Sequence, residues 1–352
     1  MILRRLLGIA AAACLMLSAL PLRAADEKPH PVKVVADQRL TVTAPAGTGE
    51  LALYVSRDWS KRQPGVTRAV IVVHGRLRNA DVYNASAEKA LAAAGEAGRS
   101  AILVVPQFLA DIDAAAFHLP AATLRWSAAG WEGGAEAKGP APISSFAALD
   151  ATLARLADRT LFPDLTTIVV AGHSGGGQVV QRYAILGQGE AAPTASGIAV
   201  RYVVANPSSY AYFNPDRPDG EGGFAPFAAA ACPKFDRWKY GMAELPAYAG
   251  AATPAVLEQA YLGRDVTYLL GTADTDPNHP ALDKSCMAEA QGPYRLARGE
   301  AYVQYLRGRH PDGFRQRVLL VPGVGHDGDR MLTSACGLAA LFDRPGCTPS
   351  VP

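Results

Sequence analysis

The chain has 352 residues, 49% of them hydrophobic and 19% charged, which gives ample apolar material for a core and too little charge for a disordered chain. Its 34 Lys and Arg against 32 Asp and Glu form no basic run, which argues against a nucleic-acid partner. This length suits one large α/β domain or two small ones.

Met1 to Arg5 gives a short basic start, and Leu6 to Leu20 is an apolar run too short to span a bilayer comfortably. Pro21 to Ala25 then supplies small residues where a signal peptidase cuts, so residues 1–25 read as a signal peptide, with an uncleaved anchor as the alternative. A lipoprotein at Cys14 is disfavoured because apolar residues continue after it. Loss of Arg4, Arg5 and Arg23 leaves 31 basic against 32 acidic residues, a net charge of −1. The expectation is a periplasmic or secreted protein with no stable membrane anchor after cleavage. Residues 26–352 are expected to form a single domain.

Four cysteines remain beyond the leader, Cys232, Cys286, Cys336 and Cys347, none in a CxxC pair. An oxidising compartment permits two disulfides. Three pairings exist, and sequence alone does not choose among them. Cys336–Cys347, which closes a short C-terminal loop, is favoured here and leaves Cys232–Cys286. Four free thiols are the alternative.

After a polar linker over residues 26–36, Leu40 to Thr43 and Leu51 to Val55 alternate as short antiparallel strands do. From residue 68 the pattern changes to continuous apolar runs, the mark of strands buried on both faces of a parallel sheet. These runs are Ala69 to Val73, Ala101 to Val105, Thr167 to Ala171, Val200 to Ala205, Val266 to Leu270 and Arg317 to Val321. Helix-like stretches fall between and after them: Ala85 to Ala97, Ser144 to Leu161, Gln178 to Leu186 and Met331 to Phe342. The alternation predicts an α/β fold with a doubly wound, mostly parallel sheet. One segment, residues 206–264, is too long and too rich in Pro, Gly and aromatics to fit. It is expected to be a cap or lid inserted before the run Val266 to Leu270, or a satellite subdomain that only packs.

The chemistry centres on Gly172-His173-Ser174-Gly175-Gly176, between a buried strand and a helix. Glycine at 172 and 176 allows a sharp turn that pushes the Ser174 hydroxyl out at the C-terminal edge of the sheet. The Gly175 N–H, at the helix start, points where an oxyanion would form. In this setting the chain resembles the α/β-hydrolase superfamily over roughly residues 68 to 342. The resemblance implies a second oxyanion donor in the loop Val73-His74-Gly75-Arg76, the backbone N–H of Arg76, with His74 buttressing that loop. It also implies the chain order nucleophile, acid, histidine. Asp274 lies just past the strand Val266 to Leu270 and is preferred to Asp276 as the acid. His326, directly after the last strand, is preferred to His279 and His310 as the base.

These residues suit acyl transfer, with Ser174 as nucleophile, His326 as base and Asp274 as its orienting partner. The implied function is a secreted serine hydrolase acting on carboxylic esters through an acyl-enzyme. An amidase, peptidase or acyltransferase would use the same parts, and a non-catalytic binding protein on the same scaffold is the reading from another class. No cofactor and no metal are expected: HExxH is missing, and Asp274, Asp276, Asn278 and Asp283 lack the spacing of an EF-hand loop. Trp126 and Trp131, in the long loop after the second buried strand, are expected to line the substrate cleft or else to pack on the core. With the aromatic segment they suggest a small-molecule ester substrate with a mid-sized apolar or aromatic part. Oligomeric state is not legible.

Overall fold

The computed structural model describes residues 30–348. The expected signal peptide lies outside the described residues. Among the described residues there are ten strands: β1 (Gln38–Ala44), β2 (Gly47–Val55), β3 (Arg68–Val73), β4 (Ala101–Gln107), β5 (Thr167–His173), β6 (Ala199–Ala205), β7 (Asp216–Pro218), β8 (Phe224–Pro226), β9 (Asp265–Gly271) and β10 (Arg317–Val321). Eight of them form one sheet in the order β1-β2-β4-β3-β5-β6-β9-β10, and β7 and β8 make a separate hairpin. The β1–β2 and β2–β4 pairings are antiparallel, and the remaining pairs in the large sheet are parallel.

Side chains alternate across the sheet, so each buried run feeds two cores. Ala69, Ile71 and Val73 of β3 face one, and Val70 and Val72 face the other. The first core is closed by α4 (Ser145–Leu156), α5 (Gly175–Leu186), α7 (Pro254–Gly263) and α9 (Arg295–Arg309). The second is closed by α1 (Ala80–Ala93), α10 (Gly328–Thr333) and α11 (Ala335–Phe342). Four short helices complete the set: α2 (Glu96–Arg99), α3 (Asp111–Ala116), α6 (Ala191–Ala195) and α8 (Cys286–Glu289). Helices on both faces of a sheet with a parallel centre are what the alternating runs predict.

The anomalous segment builds a covering for α5. Arg182 of α5 donates to the Lys239 carbonyl, and Gln181 accepts the Ala211 N–H, so the helix is buried along its whole length. Tyr210, Tyr212, Phe213 and Phe235 are themselves buried, with Tyr210 stacked on Tyr302 and Tyr212 tilted against Tyr305 of α9. Both disulfides are present, Cys232–Cys286 and Cys336–Cys347. The first ties this covering to the start of α8. Among the described residues, no helix is long and apolar enough to cross a membrane.

Candidate active site

Strand β5 lies between β3 and β6, and its last residues meet both neighbours: Gly172 pairs with Val73, and His173 with Ala205. The chain then reverses into α5 through Ser174, whose φ of 60° and ψ of −121° are rare for a residue with a Cβ. Such a conformation costs on the order of 1–3 kcal/mol and persists only where the surroundings impose it. Here the Ser174 N–H donates to the Ala205 carbonyl at 2.9 Å, and its carbonyl accepts the Gln178 N–H at 3.0 Å. A Cβ on Gly172 would collide with the Gly176 carbonyl, and one on Gly176 with the Val73 carbonyl. Both glycines are therefore demanded by close backbone approach.

Ser174 Oγ is 2.9 Å from His326 Nε2, and His326 Nδ1 is 2.9 Å from Asp274 Oδ2. The three residues come from the ends of β5, β9 and β10, gathered at one sheet edge by parallel pairing. Asp274 is buried, whereas Asp276 is exposed and accepts the Asn278 N–H in its own turn. His310 sits at the far end of α9 against Glu258. His279 lies edge-on to His326 with ring centres 5.1 Å apart. On the other side, the buried His173 tilts over His326 at 4.7 Å. Burial is the main influence holding His326 below the usual imidazole range. Its hydrogen bond to Asp274 opposes this, and the charge on Arg295 adds to it.

The Arg76 backbone nitrogen is 2.7 Å from where a Cβ on Gly175 would stand, so the two expected oxyanion donors come from adjoining backbone. Gly175 opens α5, where N–H groups lack intrahelical partners. His74 holds the Arg76 loop from within. It is fully buried, Nδ1 donates to the Gly75 carbonyl at 2.8 Å, and Nε2 accepts the Phe108 N–H at 2.9 Å. That pair of bonds requires the neutral ring, and burial brings its pKa down to about 4.

The two tryptophans require a correction. Trp126 and Trp131 have no exposed surface, so neither forms a cleft wall. Trp131 stacks on Phe108 and packs against His74, and the two indole N–H groups donate to the carbonyls of Ile143 and Ala128. The loop carrying them curls inward because each indole finds both an apolar neighbour and a backbone acceptor there. Tyr210, Tyr212, Phe213 and Phe235 of the covering segment are buried as well, so these four do not line a pocket either.

Sequence reasoning missed three neighbours of Asp274 and His326. Asn206 Oδ1 accepts the Gly271 N–H at 2.8 Å and its Nδ2 donates to Gly325 at 3.2 Å, joining the acid loop to the histidine loop. The only signal was a polar residue directly after an apolar run. Arg295 ion-pairs with Asp274 Oδ1 at 3.3 Å, and its Nε donates to Ser208 Oγ at 2.9 Å. Nothing in the local pattern marks either as buried. Among the described residues, no group of three or more His, Cys, Asp or Glu is placed to hold a metal ion.

No family model and no curated protein matches the chain. Solved structures do. A poly(aspartic acid) hydrolase from Sphingomonas sp. KT-1 is 25% identical with a TM-score of 0.56, the match covering 86% of this chain and 96% of that one. A poly(3-hydroxybutyrate) depolymerase from Bordetella parapertussis is 22% identical with a TM-score of 0.59, covering 88% of this chain and 91% of its own. The chain has the α/β-hydrolase fold, and the likenesses support a hydrolase.

Proposed function

We propose that the protein is a serine hydrolase that cleaves carboxylic esters through an acyl-enzyme. The observation that carries this reading is the continuous hydrogen-bonded chain from Asp274 through His326 to Ser174, at 2.9 Å for each link. A serine hydroxyl at its ordinary pKa is a poor nucleophile and needs a neighbouring base. Ser174 Oγ attacks the ester carbonyl while His326 Nε2 takes its proton, and Asp274 stabilises the imidazolium through Nδ1. The oxyanion of the tetrahedral intermediate is received by the N–H groups of Gly175 and Arg76. Such a donor is worth on the order of 10²–10³ in rate. His326 then passes its proton to the departing alcohol, and water repeats the sequence to release the acid.

A second reading has its own support. The 25% identical neighbour is a poly(aspartic acid) hydrolase, and the Arg76 side chain is exposed directly beside the proposed oxyanion site. An amide-linked polyanion is therefore the first alternative to an ester. The two disulfides support a periplasmic or secreted location, with residues 1–25 as its leader, residues 26–352 as one domain and residues 206–264 as a cap.

Short and long p-nitrophenyl esters, poly(3-hydroxybutyrate) and poly(aspartic acid) should be assayed on wild type and Ser174→Ala, with a fluorophosphonate probe on both. Ester turnover and labelling that vanish together in Ser174→Ala are the expected result. Labelling with turnover only of poly(aspartic acid) would move the assignment to amides. Folded wild type that neither turns over nor takes label would leave a binding protein as the better account.

A further inference from the structure

We propose that Arg295 is a positioning residue for the catalytic acid, fixing the orientation of the Asp274 carboxylate and opposing the positive charge that His326 acquires. The inference rests on the Ser174–His326–Asp274 reading above. Asp274 divides its oxygens between two partners: Oδ2 takes His326 Nδ1 and Oδ1 takes Arg295 Nη1. The guanidinium is itself fully buried and held at its other corners, Nε to Ser208 Oγ at 2.9 Å and Nη2 to the Ala281 carbonyl at 2.5 Å. A planar fork fixed by three different segments cannot rotate, so the carboxylate it grips cannot rotate either. The same helix start holds the acid's backbone, since the Leu296 N–H donates to the Asp274 carbonyl at 3.2 Å.

The electrostatic consequence has a definite sign. A serine–histidine site needs its imidazole neutral before attack and cationic during it. Asp274 favours the cation, and a buried arginine behind Asp274 offsets part of that preference. Arg295 also adds to the forces keeping His173 neutral, so the second buried imidazole does not compete for the proton. The groups facing His326 are Asp274, Arg295, His173 and His279. Those facing Arg295 are His326, Asp274, Asp276, Asp283, Arg298 and His173.

The test is the pH dependence of fluorophosphonate labelling in wild type, Arg295→Gln and Arg295→Lys. Removing the charge should move the acid limb of Arg295→Gln upward by about one pH unit. Loosening the carboxylate should lower its plateau rate by about tenfold or more. Arg295→Lys keeps the charge but not the fork, so its plateau should fall while its acid limb stays at the wild-type position. Should Arg295→Gln not fold, Arg295→Met carries the same prediction. A folded neutral variant whose rate drops with an unmoved acid limb would reduce Arg295 to a packing role and overturn the proposal. Wild type that takes no label overturns the underlying reading of the site, a result distinct from labelling with an unmoved limb.

Discussion

The two sides of the Ser174–His326–Asp274 site are made of different materials. On the nucleophile side, between β3 and β6, the geometry is set by backbone: Gly172 and Gly176 admit close approach, and Ser174 is fixed through its own N–H and carbonyl. On the acid side, between β9 and α9, it is set by long polar side chains: Asn206 joins two loops, and Arg295 ties Asp274 to Ser208 and Ala281. Backbone held by sterics has few alternatives. Side chains held by charge have many unless every partner is present, so the acid side should be the more sensitive to single polar substitutions and to pH.

The largest effect that would sharpen this contrast is Asp274→Asn, expected to lower kcat by about 10⁴-fold by favouring the wrong His326 tautomer. Asp276→Asn should leave kcat near wild type, and steady-state kinetics on the pair would expose a misassigned acid. On the backbone side, Gly176→Ala should destabilise the fold by about 1–3 kcal/mol in urea titrations and lower activity with it. An active, stable Gly176→Ala protein would break the comparison. Asn206→Ala leaves the Gly271 N–H without its side-chain acceptor and should cost about 1–3 kcal/mol, with a drop in kcat.

The pH predictions separate two histidines on the same edge. With His326 held below its usual range, the acid limb of kcat/KM should lie below about 6.5. His74 affects stability instead. Its folded-state pKa of about 4 lies below that of the unfolded chain, so the unfolded chain binds the extra proton first. Stability should then be fully present above about 6.5 and lost as pH falls toward 4, by up to roughly 3 kcal/mol. Urea midpoints across that range should slope less steeply in His74→Asn; an equal slope would remove His74 as the cause.

The same division explains what could be read in advance. The six apolar runs, the glycine-flanked serine and the two loops bearing Asp274 and His326 are local patterns, and all eight strands of the large sheet stand where alternation and runs put them. Helix α9 does not stand out in the sequence, because its four arginines, of which Arg295 and Arg298 are buried, interrupt the apolar spacing that Tyr302, Val303, Tyr305 and Leu306 continue. Arg295 could not be recognised as buried, since only tertiary contact supplies its three acceptors. The tryptophans were misplaced for the converse reason: an aromatic loop at the functional edge looks the same whether it lines a cleft or folds beneath it.

The separation of serine and histidine has a consequence for how the protein is made. Ser174 precedes His326 by 152 residues, and its turn borrows the Ala205 carbonyl from a strand translated later. At about 5–20 residues per second, the ribosome produces the nucleophile roughly 8–30 s before its base. Throughout that interval the growing polypeptide holds a serine with no group to take its proton. On the proposed triad, reactivity therefore waits for His326, the last of its three residues to be made.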